Sequence, residues 1–335
     1  MNENDIMLLQ GLLEKPKKII LIPHKSPDGD AMGSTLGLQY FLKKINHNAT
    51  VISPNEFPEF LAWLPGSENV LVYETDKLNC EKEILEADLV FTLDFNAFHR
   101  TGEMETVLKK IVAPIVMIDH HQEPDSYATV TYSDVNFGST CEMVYNFIEF
   151  LGKKELIDKT IATCLYTGIL TDSGGFKFPK TTGATHRIVA EFIDLGVENT
   201  TIPNQLFDNS SFERLQLLGR TLDKMKVIPD KKTAYTFLSQ ADLNEFNYQK
   251  GDTEGNVNYG LSIKGIVFAA IFIEHRDENI IKISFRSQGD FDVNKFARQN
   301  FSGGGHINAA GGKSYETLEN TIKKFESLLQ NLNIG

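Results

Sequence analysis

Short apolar runs alternate with amphipathic segments through the first 120 residues of the chain. Their aliphatic and β-branched residues predict buried strands at 17–23, 49–54, 69–74, 87–96 and 113–121. After the first run, DAMGSTLGLQYFLKKI at 30–45 has the apolar spacing of a helix. Apolar strands that alternate with helices are typical of a parallel sheet covered on both faces. We therefore predict an α/β fold, with a mostly parallel sheet flanked by helices, for the N-terminal part.

Three consecutive helices are predicted to follow this region. They lie at 138–152, 155–170 and 181–196. The first and the last of them stop at a glycine, which is a frequent helix terminator. After a polar, turn-rich stretch, the amphipathic segment FERLQLLGRTLDKMKV at 212–227 predicts a connecting helix. We place a first domain at 1–200 and a linker that includes this helix at 201–227.

The pattern changes after residue 227. Apolar runs predict strands at 233–239, 263–274 and 280–287. The last two are separated only by the short turn HRDEN, so they should form an antiparallel hairpin. Amphipathic segments at 291–300 and 315–332 predict helices. A smaller α+β domain at 228–335 is the expectation that follows.

Charge and composition narrow the classes of partner. The 335 residues include 33 Lys and Arg against 45 Asp and Glu, which gives a formal net charge of −12. That balance argues against binding to long nucleic acid or to an anionic membrane surface, both of which need a basic footprint. No uncharged apolar run is long enough to span a bilayer, and the N-terminus lacks the order of a signal peptide. We expect a cytoplasmic monomer or homodimer without membrane contact.

One polar stretch after the first strand contains the first candidate chemical groups. HKSPDGDAMGS at 24–34 holds His24, Asp28 and Asp30, and alone it could be an ordinary solvated turn. Later runs and one helix end in further acidic or imidazole side chains, namely Asp94, Asp119, His120, His121 and Asp172. In an open parallel sheet the carboxyl ends of the strands share one edge, so these groups should converge there.

Carboxylates gathered so closely need positive charge, because burial and mutual repulsion both penalise their ionised forms. Divalent cations supply it, and a mixed imidazole and carboxylate set suits manganese or another first-row metal better than calcium. The candidate ligands exceed what one open catalytic ion needs: His24, Asp28, Asp30, Asp94, His120 and Asp172. A pair of ions about 3.5–4 Å apart fits that number, and such pairs hydrolyse phosphoesters.

These motifs resemble those of the DHH phosphoesterase superfamily. The N-terminal motifs are HxxxDxD at 24–30, the strand-end Asp94, the DHH triplet at 119–121 and the TD at 171–172. SFRS at 284–287 and GGGHINAAGG at 303–312 are similar to the C-terminal domain associated with that superfamily. Within it, the NrnA-like oligoribonuclease and pAp phosphatase group is the most similar. The resemblance implies a DHH catalytic, metal-binding domain followed by a DHH-associated substrate-binding domain.

The resemblance also implies a role for each candidate residue. One manganese ion would be held by His24, Asp28 and Asp94, and a second by Asp30, Asp94, His120 and Asp172. Asp94 would then bridge the two ions. His121 would face the scissile phosphate or help to protonate the leaving oxygen, and Asp119 would orient the histidines. Arg100 follows Asp94 closely and could also touch substrate.

The second domain has a predicted anion site of its own. Gly303, Gly304 and Gly305 allow close approach of the backbone to a phosphate, with their N–H groups exposed as a nest. His306 follows them, and Arg286 beside Ser287 offers a planar cation suited to bidentate phosphate contact. Without the family, GGGH could equally be a flexible turn. With metal ions in one domain and this site in the other, a short strand end could be clamped in a closing cleft.

The expected function is Mn²⁺-dependent hydrolysis of very short RNA or DNA fragments to mononucleotides, together with removal of the 3′-phosphate of pAp. The alternative is a phosphodiesterase for cyclic-dinucleotide signals such as c-di-AMP, or for the linear product pApA. An inorganic pyrophosphatase would carry a basic signature where this chain has GGGH, and a RecJ-type exonuclease on long DNA would bring an extra oligonucleotide-binding module and a longer chain. The rival from outside the enzymes is a nucleotide-binding sensor without catalysis.

Overall fold

Two compact units make up the fold. The computed structural model describes residues 1, 3–330 and 332, and the chain divides into Met1–Asn209 (unit 1) and Ser210–Gly335 (unit 2). The division falls inside the segment 201–227, so the first part of this segment folds with unit 1 and its amphipathic helix with unit 2. No helix among the described residues is long and apolar enough to cross a membrane.

Unit 1 contains a six-stranded sheet in which all neighbouring strands are parallel. In chain order the strands are β1 (Lys18–Ile22), β2 (Asn48–Ser53), β3 (Leu71–Val72), β4 (Leu89–Leu93), β5 (Ile115–Asp119) and β6 (Val130–Ser133). They lie in the order β3-β2-β1-β4-β5-β6, which confirms the predicted α/β sheet. The strand order reverses its direction between β1 and β4, and such a switch point opens a ligand crevice at the carboxyl ends of the strands.

Helices cover both faces of this sheet. Within the described residues they are α1 (Glu3–Leu12), α2 (Gly29–Lys44), α3 (Lys77–Leu85), α4 (Glu105–Leu108), α5 (Thr140–Phe150), α6 (Lys159–Asp172), α7 (Gly183–Asp194) and α8 (Thr201–Phe207). Leu21 of β1 belongs to a core with residues of α2, α5 and α6, whereas its neighbours Ile20 and Ile22 belong to a second core with α3 and α4. Successive residues of a strand point to opposite faces, which explains why the central runs are apolar throughout.

Side-chain caps determine where the helices next to the strand ends begin. Asp28 Oδ1 accepts hydrogen bonds from the backbone N–H groups of Asp30 and Ala31, at 3.1 and 3.0 Å. Ser139 and Asp158 cap α5 and α6 in the same manner. Asp28 Oδ1 therefore caps the start of α2, while Asp28 Oδ2 is directed to His24, just after the end of β1.

Helices α2 and α6 contact each other through glycines. Gly29, Gly33 and Gly37 are spaced four residues apart and so share one face of α2. A Cβ atom on Gly33 would lie 2.4 Å from the carbonyl oxygen of Cys164, and one on Gly29 would lie 2.5 Å from Thr171 Oγ1. The helices can approach this closely only without side chains at these positions, and the contact brings the start of α2 to the end of α6.

Unit 2 is built on a second six-stranded sheet. Its strands are β7 (Lys226–Ile228), β8 (Thr233–Leu238), β9 (Phe268–His275), β10 (Ile280–Ser287), β11 (Gly304–Gly305) and β12 (Ala309–Ser314). The order is β11-β12-β10-β9-β8-β7, with β8 and β9 parallel and the other neighbours antiparallel. The predicted β9–β10 hairpin and the smaller α+β class are thereby confirmed.

The helices of unit 2 pack on a core rich in phenylalanine. Among the described residues they are α9 (Phe212–Asp223), α10 (Gln240–Glu245), α11 (Asn258–Leu261), α12 (Val293–Asn300) and α13 (Leu318–Gln330). Phe268, Phe285 and Phe325 are fully buried, with ring centroids 5.7 to 6.3 Å apart. Aromatic pairs at such distances add stabilisation beyond the apolar area that they bury. Six of the 23 Phe residues in the chain are buried members of this core.

Some elements differ from the predicted pattern. The apolar run at 69–74 contributes only the two residues of β3 before the chain turns. The helix predicted over 212–227 ends at Asp223, after which β7 forms an edge strand. The pattern does not predict β6 or the short helices α1 and α3, because segments of this length give too little periodicity to distinguish from loops.

The α2–α6 contact generates a stability prediction. Gly33→Ala should destabilise unit 1 by about 1–3 kcal/mol, since the new methyl group meets a backbone carbonyl that cannot rotate away. Gly11→Ala is the matched control, because nothing lies within 4 Å of its Cβ position in α1 and alanine favours a helix. The measurement is the free energy of unfolding in urea. Equal effects of the two substitutions would show that the glycines do not determine the helix contact.

Candidate metal centre

Four segments of unit 1 bring acidic and imidazole side chains to one edge of the sheet. They are the loop and helix start after β1, the residue after β4, the end of β5 and the last turn of α6. The side chains concerned are His24, Asp28, Asp30, Asp94, Asp119, His120, His121 and Asp172. β1, β4 and β5 are neighbours in the sheet, so residues 24, 94 and 120 meet although they are far apart in sequence.

The first group comprises His24, Asp28 and Asp94, whose candidate ligand atoms all lie within 4.8 Å of one another. His24 Nε2 is 3.8 Å from Asp28 Oδ2 and 3.5 Å from Asp94 Oδ2. His24 Nδ1 lies 2.9 Å from the carbonyl oxygen of Lys25. A proton on Nδ1 then donates to that carbonyl, and the Nε2 lone pair is directed into the cluster.

The second group comprises Asp30, His120 and Asp172, again within 4.8 Å. His120 Nε2 is 3.8 Å from Asp30 Oδ2, 3.3 Å from Asp172 Oδ2 and 3.3 Å from Asp94 Oδ1. His120 Nδ1 lies 3.3 Å from the carbonyl oxygen of Phe137, which orients the ring as Lys25 orients His24. Asp94 therefore directs Oδ2 to the first group and Oδ1 to the second.

Asp94 adopts an uncommon backbone conformation to reach this position. Its φ angle is 64°, in the left-handed region that costs most residues energy and that Asp and Asn tolerate best. Its N–H donates to the carbonyl oxygen of Ile118 at 3.0 Å, which ties the end of β4 to β5. Non-glycine residues held in this region are concentrated at functional sites.

The start of α5 supports the cluster through residues that the sequence pattern does not single out. The N–H groups of Thr140 and Cys141 donate to the two carboxylate oxygens of Asp30, at 2.6 and 2.8 Å. Thr140 Oγ1 donates to Asp94 Oδ1 at 3.0 Å. Unpaired N–H groups at a helix N-terminus stabilise negative charge. In the sequence, Ser139 as a helix cap indicates that a helix starts here, but it does not indicate which carboxylate the helix N-terminus faces.

Burial and charge give these groups strongly shifted pKa values. Burial, with repulsion from Asp94 and Asp172, raises the pKa of Asp30 well above its ordinary value. Burial also raises the pKa of Asp172 to about 6. Burial opposes protonation of His24, but contacts with Asp28 and Asp94 raise its pKa to about 10. With protein groups alone the cluster retains protons near neutral pH, and divalent cations can replace them.

Asp119 and His121 form a hydrogen-bonded pair that adjoins Asp94, whose Oδ1 lies 3.7 Å from His121 Nδ1. His121 Nδ1 is 2.7 Å from Asp119 Oδ1, and the backbone N–H of His121 donates to Asp119 Oδ2 at 3.1 Å. Burial, with repulsion from Asp94, raises the pKa of Asp119 to about 7. Arg100 Nη2 lies 3.4 Å from His121 Nε2. Burial lowers the pKa of His121 well below its ordinary value, and the charge of Arg100 acts in the same direction.

The predicted anion residues of unit 2 lie on β10 and on the β11–β12 hairpin. Arg286 is half-buried on β10, and its Nη1 donates to the carbonyl oxygen of Phe285 at 3.0 Å. The Ser287 hydroxyl is buried and donates to the carbonyl oxygen of Phe291 at 2.6 Å. Ser287 therefore holds the turn after β10, which is a structural role that the motif did not distinguish from phosphate contact.

The glycine run forms a strand pair instead of an open nest. Gly305 N–H donates to Asn294 Oδ1 at 2.9 Å, and His306 N–H donates to the carbonyl oxygen of Ala309 at 2.7 Å. The expectation that the N–H groups of 303–305 are all exposed is wrong for Gly305. A Cβ atom on Gly303 would lie 2.0 Å from the carbonyl oxygen of Gly311, so this glycine is needed for the hairpin itself.

Comparison with known families covers both units. Residues 18–169 match the DHH family, N-terminal domain, and residues 230–331 match the DHHA1 domain. A Thermus thermophilus protein named bifunctional oligoribonuclease and PAP phosphatase NrnA is 31% identical over 88% of this chain and 83% of its own. A Bacillus subtilis protein of the same name is 28% identical over 89% of each chain.

Two further proteins are similar to this chain over most of its length. The crystal structure of an exopolyphosphatase-related protein from Bacteroides fragilis is 39% identical, with a TM-score of 0.94 over 98% of this chain and 96% of its own. A Listeria monocytogenes cyclic-di-AMP phosphodiesterase, PdeA, is 24% identical over 90% of this chain but only 45% of its own length.

The geometry predicts how many cations bind. Wild-type protein dialysed against Mn²⁺ should retain about two ions per chain, and Asp94→Asn, which keeps the side-chain size, should retain one at most. Asp125→Asn is the control, because Asp125 is exposed on the loop after β5 and lies outside both groups. The measurement is metal content by mass spectrometry after dialysis. A wild-type content below one ion, or an unchanged content in Asp94→Asn, would contradict a paired site that shares Asp94.

Proposed function

The chain belongs to the DHH family, and from this premise we propose that it is a Mn²⁺-dependent phosphoesterase of very short oligonucleotides. It would degrade fragments of a few nucleotides to mononucleotides and convert pAp to AMP. The observation that carries the proposal is the sharing of Asp94, whose two oxygens face two separate groups of carboxylate and imidazole donors. The Thermus and Bacillus relatives, named for both of these activities, support the same substrates.

The residues divide into two ligand sets. His24, Asp28 and Asp94 would hold one cation, and Asp30, Asp94, His120 and Asp172 the other. When bound, the two cations would polarise the phosphate and lower the pKa of the attacking water. The Nδ1 contacts of His24 and His120 with backbone carbonyls hold both rings so that Nε2 would be the atom that binds the cation.

Asp119 and His121 would act together in protonating the leaving group. Asp119 accepts from His121 Nδ1 and from its backbone N–H, which fixes the ring with Nε2 directed away from the carboxylate. We assign to His121 contact with the reacting phosphate and delivery of a proton to the leaving oxygen. The negative charge of a phosphate close to the ring would favour the protonated form of His121. Arg100 would bind the same phosphate, because its guanidinium already reaches His121 Nε2.

Unit 2 would recognise the substrate by its phosphate. Arg286 supplies a permanent cation, and His306 follows the glycine hairpin. Gly303 and Gly305 serve the hairpin, because a Cβ atom on either would collide with the opposite strand, whereas the Cβ position of Gly304 has no neighbour closer than 3.4 Å. Recognition of a terminal phosphate by a few such residues would select short substrates, because it does not require an extended basic surface, and the formal net charge of the chain is −12.

The proposal predicts a dependence on substrate length. Purified protein with Mn²⁺ should hydrolyse dinucleotides fastest, lose activity steadily toward about a dozen nucleotides, and release phosphate from pAp. Asp94→Ala should lower kcat by more than about 100-fold, since loss of residues that merely orient metal ligands already costs 10–100-fold. Rates are followed by chromatography of labelled products across the length series.

Binding measured alongside turnover separates the enzyme from a sensor. Asp94→Ala should still bind a non-hydrolysable dinucleotide through unit 2, although its turnover is lost. An equal loss of binding and turnover would favour a nucleotide sensor. Absence of turnover of both dinucleotides and pAp by the wild-type protein would refute the proposed activity.

The second candidate function is hydrolysis of a signalling dinucleotide, which the similarity to the Listeria phosphodiesterase favours. If unit 2 recognises a terminal phosphate, linear pApA should be cleaved at least about tenfold faster than c-di-AMP, which has no end to recognise. Rates on the two substrates at equal concentration decide the point. Faster cleavage of the cyclic form would assign the chain to cyclic-dinucleotide signalling and overturn the end-recognition model.

A further inference from the structure

The loop that follows Asp172 has an unusual backbone. Gly174, Gly175 and Phe176 have φ angles of 58°, 71° and 65°, so three successive residues lie in the left-handed region. Glycine adopts this conformation freely, but a bulky aromatic residue does so rarely. The loop, defined as residues 173–180 (SGGFKFPK), therefore has a specific fold that its surroundings must maintain.

Ser173 holds the loop against the end of α6. Its hydroxyl accepts from the N–H of Phe176 at 2.9 Å, and its carbonyl oxygen accepts from the N–H groups of Lys177 and Phe178 at 2.8 and 3.0 Å. Ser173 is buried and directly follows Asp172. The backbone of Phe178 is thus attached to the residue next to a candidate metal ligand.

The two aromatic residues of the loop have different surroundings. Phe176 is half-buried and packs against Tyr166 and His186, with ring centroids 6.3 and 5.4 Å away. Phe178 is 46% exposed, and its ring lies over Gly174, where a Cβ atom would be 2.6 Å from it. Among the described residues Phe178 makes no contact with another aromatic ring. Burial explains Phe176, but it does not explain an aromatic ring held in place and left half open to solvent.

A cationic residue ends the same loop. The carbonyl oxygen of Lys180 lies 3.3 Å from the Cβ position of Gly138, two residues before Thr140, which contacts Asp30 and Asp94. Desolvation lowers the pKa of Lys180, while the carboxylates of Asp172 and Asp134 act in the opposite direction. An exposed lysine therefore lies within electrostatic reach of the metal centre in a strongly acidic chain.

We infer that the loop 173–180 is a nucleotide subsite, in which Phe178 stacks on a nucleobase of the substrate and Lys180 contacts a phosphate. The inference rests on the proposed function and adds the groups that recognise the nucleoside. A base is joined to its phosphate by one sugar, so a platform beside Asp172 can meet the base of the nucleotide whose phosphate reacts. Stacking on an aromatic ring accepts every base, as degradation of mixed short fragments requires.

The first test uses substrates that lack one base. Phe178→Leu should raise KM for an ordinary dinucleotide by about tenfold and leave kcat within about twofold, since stacking contributes to binding more than to the chemical step. Of two abasic dinucleotides, each lacking one base, one should show no effect of Phe178→Leu, because the missing base is the one that stacks. Phe178→Trp should restore KM. Phe150→Leu, at the opposite end of α5 from the site, is the aromatic control and should change nothing.

Substitution of Lys180 tests the phosphate contact of the subsite separately from base stacking. Lys180→Gln should raise KM several-fold on ordinary and abasic dinucleotides alike, because the phosphate is common to all of them. Lys110→Gln is the control, since Lys110 is exposed at the start of the loop before β5, at the edge of the sheet away from the site. An effect of Lys180→Gln no larger than that of Lys110→Gln would remove Lys180 from the subsite.

A binding readout keeps the inference independent of turnover. The chain has a single tryptophan, Trp63, so Phe178→Trp adds a fluorophore whose emission should fall when a non-hydrolysable dinucleotide stacks on it. Phe150→Trp should show no such change. Quenching without any hydrolysis by the wild-type protein would support the subsite and refute the proposed enzyme. Hydrolysis without quenching, with equal effects of Phe178→Leu on ordinary and both abasic substrates, would overturn the subsite alone.

Discussion

The distance between α2 and α6 sets the geometry of the candidate metal centre. Asp30 lies in the first turn of α2 and Asp172 in the last turn of α6, and the two helices meet through Gly29, Gly33 and Gly168. Side chains at these glycines would push the helices apart and separate carboxylates that must converge. Glycine normally weakens a helix, so its presence here reflects the need for close approach and not for flexibility.

That close packing brings several carboxylates together, and other groups of unit 1 compensate for their mutual repulsion. The carboxylates gathered at the sheet edge repel one another. Burial, together with this repulsion from Asp94 and Asp172, raises the pKa of Asp30, which means that its ionised form is disfavoured. The N-terminus of α5 offsets part of it with two N–H donors. Cations would offset the remainder, so metal binding and the stability of this unit are linked.

In unit 2 the glycine motif predicted to bind a phosphate serves the fold. Its glycine run allows the β11–β12 hairpin to form where a Cβ atom on Gly303 or Gly305 would collide with the opposite strand. Gly304 is half-buried, and its Cβ position lies 3.4 Å from Arg298 Nε and from Asn294 Oδ1. Arg286 and His306 are polar groups that suit an anion, while Ser287 stabilises the turn. A glycine motif therefore indicates a close approach without telling whether the neighbour is protein or substrate.

The sequence by itself determined the alternating strands and helices, the hairpin of unit 2 and which acidic and imidazole residues come together at the sheet edge, because periodicity and strand-end position are local properties. It did not reveal that Thr140 and Cys141 hold Asp30, that Arg100 reaches His121, or that Ser287 and the Gly305 N–H serve the protein itself. Each of these depends on which distant segment lies opposite a given side chain. The packing of whole elements decides that, and only the tertiary structure contains it.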